Sequence, residues 1–447
     1  MSSVLEEVRA ALGADLPHGD SSHCCVAVSG GLDSTVLLEV LAQLRPHHPI
    51  TLRAVHIDHG LHPDSSRWAT AVRDACAVHG VPCDVVPVEV PRDSGSGLEA
   101  AARETRHAVL RERLRDGEVL VTAHHADDQI ETLLLALLRG SGVKGLASMP
   151  RLAPLARGWQ WRPLLAFTRQ EIEAYARARS LSWHEDPANR DLRHDRNYLR
   201  HAVLPRLRER WPHASQNAVR TARHLAEAGA LLDRMALDDL RLAAVGPCLD
   251  VEVLRQMGPA RARQLLRFWL DLRGSRTSER RLDSIIEAAW VAAQDRVPGV
   301  SLDEGATVRR HRGLLYLVPP EPARPSSDAG LTLTVGEPVD LPDGLGRLEL
   351  DARALRNGAL EPAVLSVRFR GGGERVRLPG RSHGTPLKEL MRAAGVLPWM
   401  RDRVPLLFAG DELIAIGTAP VAGLGPAHAP LAAALHWSAA PAWRALR

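Results

Sequence analysis

The sequence predicts an α/β fold with a parallel sheet in its N-terminal half, followed by a mainly helical region and a small α+β region. Up to about residue 215, strand-like apolar segments alternate with helical patterns, which is typical of βαβ units whose parallel sheet is covered on both faces. Residues 216 to about 295 are rich in Ala, Leu and Arg at helical spacing. Beyond about residue 330 the pattern changes to short strands and turns.

Each element is predicted from the spacing of its apolar residues. The N-terminal strands are expected at 24–28, 52–57, 85–88 and 119–122, with helices at 34–44, 65–78 and 98–114. A further helix is expected to follow the N-cap Thr168 and to run through Ala178. In the C-terminal half, strands are expected at 313–318, 331–335 and 347–350.

Length and composition bound the class of protein. A chain of 447 residues is long enough for two to four domains. The end of the strand–helix alternation near residue 215 and a linker rich in proline between 319 and 325 predict domains 1–215, 216–325 and 326–447. No apolar run reaches membrane length, and the first twenty residues do not have the pattern of a signal peptide. The five cysteines form no C-x-x-C pair, so we expect reduced thiols, a cytoplasmic protein and no membrane partner.

The most informative segment is Ser29-Gly30-Gly31-Leu32-Asp33-Ser34, which lies between a predicted strand and a predicted helix. Glycines let the backbone approach an anion closely, and the first N–H groups of a helix point towards it. The segment lacks the Lys of a Walker A loop, which disfavours chemistry on a γ-phosphate. It predicts a nucleotide site of another kind, although an ordinary strand-to-helix turn would explain the six residues alone.

Polar residues also follow the second and fourth predicted strands, where a parallel sheet binds its ligands. His56, Asp58 and His59 lie at the end of the second strand, and His124 and His125 follow the fourth. In the next helix Asp127 and Glu131 are four residues apart and therefore share a face. These carboxylates could hold Mg²⁺ with phosphates or bind an ammonium group, whereas a purely structural role would be to complement the helix dipole.

Three further segments carry candidate binding residues. The glycine-rich loop at 139–146 contains Arg139 and Lys144, and is either a phosphate or substrate clamp or a flexible loop. The segments at 183–189 and 196–200 combine acids, Asn and Arg, which suits a polar ligand or an RNA backbone, although a solvated loop explains them equally simply. From Arg368 to Arg403, basic residues exceed acidic ones by six, a balance that suits a phosphate backbone.

Taken in order, these segments resemble the tRNA(Ile)-lysidine synthetase family of the PP-loop (N-type ATP pyrophosphatase) superfamily. The matching motifs are S-G-G-L-D-S at 29–34, H-I-D-H-G-L-H-P-D-S at 56–65, L-E-A-A-A-R at 98–103, A-H-H-A-D-D-Q-I-E-T at 123–132, L-L-R-G-S-G-V-K-G-L at 137–146, R-P-L-L at 162–165, W-H-E-D-P-A-N at 183–189, R-N-Y-L-R at 196–200, and the C-terminal R-x-R-x-x-G-E-R, P-L-K-E-L and P-W-M-R-D-R-V-P. His62 and Ala188 depart from the usual Arg and Ser.

The resemblance implies a reaction. The O2 atom of the wobble cytidine in a CAU-anticodon isoleucine tRNA attacks the α-phosphate of ATP, and the ε-amine of free L-lysine then attacks C2 and expels AMP. It also implies a Rossmann-like PP-loop catalytic domain at 1–215, a mainly helical tRNA- or substrate-binding domain at 216–325 and a basic tRNA-binding domain at 326–447. The partners implied are ATP, Mg²⁺, L-lysine and the tRNA. The oligomeric state stays open, a homodimer included.

The roles expected of individual residues follow from the motifs and the resemblance. They are ATP binding by Ser29, Gly30, Gly31, Leu32, Asp33 and Ser34; Mg²⁺ binding by Asp33 and Asp127, with Asp128 as an alternative; catalysis by Asp33, Arg103, Asp127 and Glu131; lysine or cytidine binding by His124, Asp128, Gln129, Arg139 and Lys144; and tRNA binding by Arg196, Arg200, Arg368, Arg370, Arg375 and Lys388.

Other functions remain to be weighed against this one. A PP-loop tRNA thiolase usually needs paired cysteines for sulfur or an iron–sulfur cluster, and the chain has no C-x-x-C. A small-molecule ligase would not need the basic C-terminal region. A non-catalytic tRNA-binding protein would not need an intact nucleotide loop and acidic helix.

Overall fold

A computed structural model describes most of the chain, namely residues 4–16, 22–91, 98–187, 191–275, 277–291, 298–351, 364–378, 383–422, 424 and 428–439. The chain divides into two compact units, Met1–Leu232 and Asp233–Arg447. None of the helices in these described ranges is long and apolar enough to cross a membrane. Asn189, one residue of the W-H-E-D-P-A-N motif, lies outside the described residues, as does the departure at Ala188.

The N-terminal unit is built on a six-stranded sheet in the order β3-β2-β1-β4-β6-β5. Its strands are β1 (Ser22–Ala27), β2 (Ile50–Asp58), β3 (Cys83–Pro87), β4 (Val119–Val121), β5 (Leu152–Leu155) and β6 (Gly158–Trp161). All neighbours pair in parallel except β5, which joins β6 as an antiparallel edge. The parallel sheet therefore brings the carboxyl ends of β1, β2 and β4 to one edge.

Helices surround this sheet. They are α1 (Val4–Asp15), α2 (Leu32–Leu44), α3 (Ser65–Val78), α4 (Leu98–Arg113), α5 (Ala126–Leu138), α6 (Val143–Leu146), α7 (Arg169–Ala178), α8 (Asp195–Tyr198) and α9 (Leu204–Arg210). Apolar clusters lie on both faces of the sheet, one centred on α2 and one against α4. The four predicted strands and three predicted helices are present with small shifts of their ends. The parallel strand β6 and its hairpin partner β5 were not predicted.

Local signals place the ends of two functional helices. Thr168 caps α7 and forms a reciprocal capping box with Glu171, as the sequence predicts. Helix α5 ends at Leu138, and Gly140 follows with a φ of 70°, the left-handed conformation typical of a residue just after a helix. A π-helical turn, Leu199–Val203, connects α8 to α9.

Helix α10 (Ala214–Ala243) spans the boundary between the two units. The C-terminal unit continues with α11 (Val251–Met257), α12 (Pro259–Asp271), α13 (Glu279–Val291), α14 (Leu387–Ala393) and α15 (Ala429–Ala433). Its first sheet is antiparallel and contains β7 (Ala244–Val245), β8 (Cys248–Asp250), β9 (Gly299–Ser301), β10 (Thr307–His311) and β11 (Leu314–Val318).

The remaining strands form smaller antiparallel sheets. They are β12 (Asp328–Leu333), β13 (Val339–Asp340), β14 (Arg347–Leu350), β15 (Leu365–Arg368), β16 (Arg375–Val376), β17 (Thr385–Pro386), β18 (Leu406–Ala409), β19 (Glu412–Ile416), β20 (Ala419–Pro420) and β21 (Leu435–Ser438). Within this unit Trp399 packs edge-on against Tyr316 of β11, and Val318 belongs to the same buried cluster as β15, β18 and β19. The short strands expected beyond residue 330 are therefore present.

Candidate functional site

The S-G-G-L-D-S segment forms a tight turn between β1 and α2. The buried hydroxyl oxygen of Ser34 accepts hydrogen bonds from the backbone N–H groups of Ser29 and Gly30, at 3.1 and 3.2 Å, and donates to the Gly31 carbonyl at 3.1 Å. Gly31 is the N-cap of α2 and has no side-chain cap. Backbone N–H groups and a helix N-terminus therefore meet where an anion would bind.

Gly30 lies directly under His184. It has a φ of 83°, and a Cβ atom added to it would stand 2.1 Å from Cε1 of His184. The backbone N–H of His184 also donates to the Gly30 carbonyl at 3.1 Å. Trp68 stacks on the His184 ring, with a centroid distance of 4.7 Å, and His62 stacks on Trp68 at 4.6 Å. The W-H-E-D motif and the H-G-L-H motif therefore meet at the loop.

The N-terminus of α5 brings a histidine to the same edge. Nδ1 of His125 accepts a hydrogen bond from the Asp127 backbone at 3.2 Å, so the ring proton is on Nε2. Nε2 lies 3.7 Å from Asp33 of the S-G-G-L-D-S turn and 3.5 Å from Asp128. His125 is almost completely buried, and it links β4, through α5, to the turn after β1.

Two acids of α5 are paired with two arginines from the R-N-Y-L-R motif. Glu131 is fully buried and lies 2.7 Å from Nε of both Arg196 and Arg200, one on each carboxylate oxygen. Asp128 accepts from the backbone N–H of His125 at 3.0 Å and lies 2.9 Å from Arg200. The predicted tRNA contacts Arg196 and Arg200 and the predicted catalytic acid Glu131 therefore belong to one ion-pair network.

Asp127 and Asp33 are each paired with an arginine that the sequence did not single out. Asp127 lies 2.6 Å from Arg208 of α9, and it accepts a hydrogen bond from the backbone N–H of Arg169 at 3.3 Å. The guanidinium of Arg169 lies 3.0 Å from Asp33. Arg169, the first residue of α7, therefore contacts both predicted Mg²⁺ ligands.

These contacts define an acid–arginine cluster at the carboxyl edge of the sheet. Its members are Asp33, Asp127, Asp128, Glu131, Arg169, Arg196, Arg200 and Arg208. The α5 acids are buried beneath the arginines, which are 19–37% exposed. The accessible surface of the cluster is therefore mainly cationic, with Asp33 as its most exposed acid, and it suits phosphate or carboxylate groups.

The electrostatics of the cluster favour the charged forms of Asp128 and Arg200. Burial would raise the pKa of Asp128, but His125 and Arg196 outweigh it and lower the pKa below its usual value. Burial opposes the charge of Arg200, yet Glu131 and Asp128 raise the pKa of its guanidinium. Burial lowers the pKa of His124 to about 3, assisted by the positive charges of Arg162, Arg196 and Arg103. His124 is therefore neutral at physiological pH.

The other predicted substrate residues have different surroundings. The buried amide of Gln129 bonds both backbone groups of Met149, at 2.9 and 3.0 Å, so it anchors the chain after α6. Arg139 is exposed at the end of α5, and Lys144 is exposed in the short helix α6, where a loop was expected. Arg103 of α4 is also exposed and acts electrostatically on His124 and His107.

A signal for the missed Arg208 is present in the sequence. Arg196, Arg200 and Arg208 recur at multiples of four residues, so they share one face of the helical segment that runs from α8 to α9. Asp127 and Glu131 share a face of α5 in the same way. Matching an acidic helical face to a basic one would have predicted this pairing. Arg169 carried no such signal, since it lies alone at the start of α7.

In the C-terminal unit, three of the four predicted tRNA contacts line one cavity of about 260 Å³. The lining residues are Arg370, Gly373, Glu374, Arg375, Pro386 and Lys388. Lys388 is exposed and forms no ion pair with any described residue, whereas Arg370 lies 3.1 Å from Asp402. Arg368 is not part of this lining, and its guanidinium lies over the Phe408 ring, 4.6 Å from the centroid.

Comparison with known proteins gives one family throughout. Residues 5–207 match the model of the PP-loop domain, residues 249–316 that of the TilS substrate binding domain, and residues 365–437 that of the TilS substrate C-terminal domain. The tRNA(Ile)-lysidine synthase of Alkalilimnicola ehrlichii is 46% identical over 402 residues, which cover 89% of this chain and 90% of that protein. The chain belongs to the tRNA(Ile)-lysidine synthase family.

Two further members of the tRNA(Ile)-lysidine synthase family are similarly close. The protein of Xanthomonas axonopodis pv. citri is 42% identical, with 95% of this chain and 96% of that one covered. The protein of Coxiella burnetii is 40% identical, with 89% and 88% covered. Family membership confirms the predicted PP-loop fold and the ATP-dependent ligase class, and it does not favour the thiolase or non-catalytic alternatives.

Proposed function

We propose that this protein joins free L-lysine to C2 of the wobble cytidine of an isoleucine tRNA with a CAU anticodon. The O2 atom of cytosine attacks the α-phosphate of ATP, and the bond to pyrophosphate breaks. The neutral ε-amine of lysine then attacks C2, and the C2–O2 bond breaks to release AMP. The amine nitrogen gives up one proton as the new C–N bond forms, so the products are the lysidine-modified tRNA, AMP and pyrophosphate.

The proposal rests on the acid–arginine cluster beside the turn at residues 29–34, called the PP-loop turn from here on, in a member of the tRNA(Ile)-lysidine synthase family. Adenylation collects negative charge on the α-phosphate and on the departing pyrophosphate. The partly exposed guanidiniums of Arg169, Arg196, Arg200 and Arg208 offer fixed donors for such charge. The buried acids beneath them hold those donors in place and need no rearrangement during reaction.

The implied Mg²⁺ fits one of its two predicted ligands. Asp33 is a quarter exposed at the turn that would hold the phosphates, and Mg²⁺ usually takes one or two carboxylates together with substrate phosphates. Asp127 is buried and already ion-paired with Arg208, so it does not fit as a direct ligand in this arrangement. When bound, the ion would neutralise charge on the ATP phosphates. We therefore assign Mg²⁺ to Asp33.

The arrangement also refines the lysine site. Glu131 is completely buried between two arginines, which leaves it no face for an ammonium group. We propose that Glu131 and Asp128 position Arg196 and Arg200, and that these arginines bind an anion such as the lysine carboxylate. A carboxylate is needed as the general base that accepts the proton of the lysine amine. Asp33 suits this role better than Asp127 because it is more exposed.

The basic cavity in the C-terminal unit is proposed to bind tRNA phosphates. Arg375 and Lys388 are exposed at its rim, in the part of the chain that matches the TilS substrate C-terminal domain. Guanidinium forks and an unpaired ammonium are suited to phosphate oxygens.

The experiment incubates the full-length protein with CAU-anticodon isoleucine tRNA, ATP and L-lysine, and measures AMP, pyrophosphate and lysidine in the digested tRNA. All three products should appear together and should require every substrate. Methionine tRNA, which has the same anticodon, and ornithine in place of lysine are the matched controls. Sulfur incorporation, or AMP formation without lysine transfer, would contradict the proposal.

A further inference from the structure

A buried polar chain leads from an arginine to His124 along the carboxyl ends of β6 and β4. Arg162 donates to Oε1 of Gln160 at 2.6 Å, and Nε2 of Gln160 donates to the Thr122 hydroxyl at 3.2 Å. The Thr122 hydroxyl lies 3.0 Å from Nδ1 of His124. Arg162, Gln160 and Thr122 are each no more than 9% exposed.

The direction of every hydrogen bond in this chain follows from its first member. A guanidinium only donates, so Gln160 must present its oxygen to Arg162 and its NH₂ group to Thr122. The Thr122 oxygen accepts that bond, which leaves its own hydrogen for Nδ1 of His124. The opposite direction, with Nδ1–H donating to Thr122, would leave a buried hydroxyl hydrogen without an acceptor. The chain therefore fixes the proton of the neutral His124 ring on Nε2.

Arg162 has an unusual environment for the origin of such a chain. Its other hydrogen-bond partner among the described residues is the Pro150 carbonyl, at 2.7 Å, so both of these partners are neutral oxygens. Burial lowers the pKa of Arg162 to about 10, which still leaves it charged at physiological pH. Burying a cation with no carboxylate partner among the described residues is costly. Because a guanidinium can only donate, it fixes the direction of the hydrogen bonds that follow it.

We propose that Arg162, Gln160 and Thr122 are positioning residues that make His124 a neutral Nε2–H donor to a phosphate oxygen of ATP during adenylation. His124 follows β4, next to β1 and its PP-loop turn, and its neighbour His125 points Nε2 towards Asp33. A neutral imidazole is an effective donor to developing negative charge because its proton is not lost to the phosphate. This inference rests on the proposed function.

The first test reads the tautomer directly. Long-range ¹H–¹⁵N NMR of the histidine-labelled protein, with His124→Asn to assign the signals, should show Nδ1 of His124 as the unprotonated nitrogen. In Gln160→Glu the new carboxylate can only accept a hydrogen bond, so the Thr122 hydroxyl must donate to it. The Thr122 oxygen then accepts from His124, and the proton of the His124 ring should move to Nδ1. A protonated Nδ1 in the wild type, or an unchanged tautomer in Gln160→Glu, would contradict the proposed direction of these hydrogen bonds.

The second test separates positioning from folding. Thr122→Val keeps the shape but removes the hydroxyl, and it should lower kcat of ATP–pyrophosphate exchange by about tenfold or more without changing KM for lysine. Thr122→Ser should restore exchange, and Thr70→Val, which removes an exposed hydroxyl from α3, is the control for the same chemical change. Wild-type exchange in Thr122→Val would overturn the assignment. A wild-type protein that forms no lysidine would instead refute the proposed function, because the tautomer is measured without turnover.

Discussion

At the scale of single residues, Asp33 is the most exposed acid of the cluster, and from its place in the PP-loop turn it contacts both Arg169 and His125. We expect Asp33→Ala to reduce ATP–pyrophosphate exchange at least about a hundredfold, because the variant loses both the Mg²⁺ ligand and the partner of Arg169. A gel shift should show nearly unchanged tRNA binding. Asp33→Asn keeps the shape and should be almost as impaired, so exchange at the wild-type rate in either variant would contradict the assignment.

For Glu131 we expect a substitution to affect stability as well as activity, because this side chain is buried between two arginines. Glu131→Gln leaves Arg196 and Arg200 without a shared counter-charge and should lower the free energy of unfolding by about 3 kcal/mol. The lysine step should suffer at least as much as adenylation, because both displaced guanidiniums are proposed to bind the lysine carboxylate. Chemical denaturation and rates at varied lysine concentration measure the two effects.

The matched control for Glu131 is Glu173→Gln. Glu173 pairs with Arg177 on the surface of α7, and removing such an exposed pair should change stability by less than about 1 kcal/mol. Asp127→Asn, which loses Arg208, should also impair the lysine step. If the Glu131 and Asp127 variants keep normal stability and normal lysine kinetics, these acids only complement the dipole of α5.

At the scale of secondary-structure elements, two histidines beside the sheet make the N-terminal unit sensitive to acid. Burial, helped by Arg106, lowers the pKa of His107 in α4 to about 4, and burial lowers that of His124 after β4 to about 3. The unfolded chain binds these protons near pH 6.5, so it holds more protons than the folded chain between there and pH 4. Stability should therefore fall as the pH falls through this window.

The expected loss is about 1–2 kcal/mol per histidine between pH 6.5 and 5. Urea unfolding across this range measures it, and His107→Gln should flatten the dependence. His47→Gln, a change at an exposed position, should leave the dependence as it is. An equal slope in the His107→Gln protein would show that the imidazole is not excluded from protonation in the folded state.

How far the sequence predicts the elements depends on the range of the interactions that form them. The strand, turn and helix around the PP-loop turn and the capping box of α7 are set by neighbouring residues, and both were predicted. Strand β6 was not, because Gly158–Trp161 is short and is stabilised by pairing with β4 across nearly forty residues. The contact of His184 with Gly30 likewise joins segments that are distant in the chain.

The same limit applies to the candidate site. The sequence correctly placed Asp33, His125 and the α5 acids at one edge, because parallel strands put their carboxyl ends together. It assigned Arg196 and Arg200 to tRNA, whereas the structure pairs them with acids some seventy residues away. Arg and Glu are both common on solvated surfaces, so the matching helical faces make this pairing a candidate and the tertiary structure shows that these residues are buried together.

At the scale of the whole molecule, the C-terminal unit constrains how tRNA binding can be tested. Removing residues 330–447 would cut β12 and strip apolar partners from Tyr316 and Val318. Such a truncated protein would expose apolar residues that are normally buried. A loss of tRNA affinity could then not be attributed to the basic cavity. Point changes at the exposed rim are the sharper experiment.

Arg375→Ala and Lys388→Ala should each weaken tRNA binding and reduce the slope of log affinity against log salt by roughly one, since each phosphate contact releases about one counterion. ATP–pyrophosphate exchange measured at saturating tRNA should not change, because neither residue belongs to the N-terminal unit. Lys388→Arg tests whether the compact ammonium matters, and a loss of affinity there would indicate a site too small for a guanidinium.

Arg347→Ala is the control for this series, because Arg347 is an equally exposed cation of β14 that lies outside the cavity lining. Arg370→Ala should lower affinity more than Arg375→Ala, since it also leaves Asp402 with less compensating charge near the phosphates. Filter binding from low to moderate salt measures all four variants in the folded, full-length protein. If Arg370, Arg375 and Lys388 variants share the affinity and salt slope of Arg347→Ala, the cavity is a solvated surface and the phosphate contacts lie elsewhere in the chain.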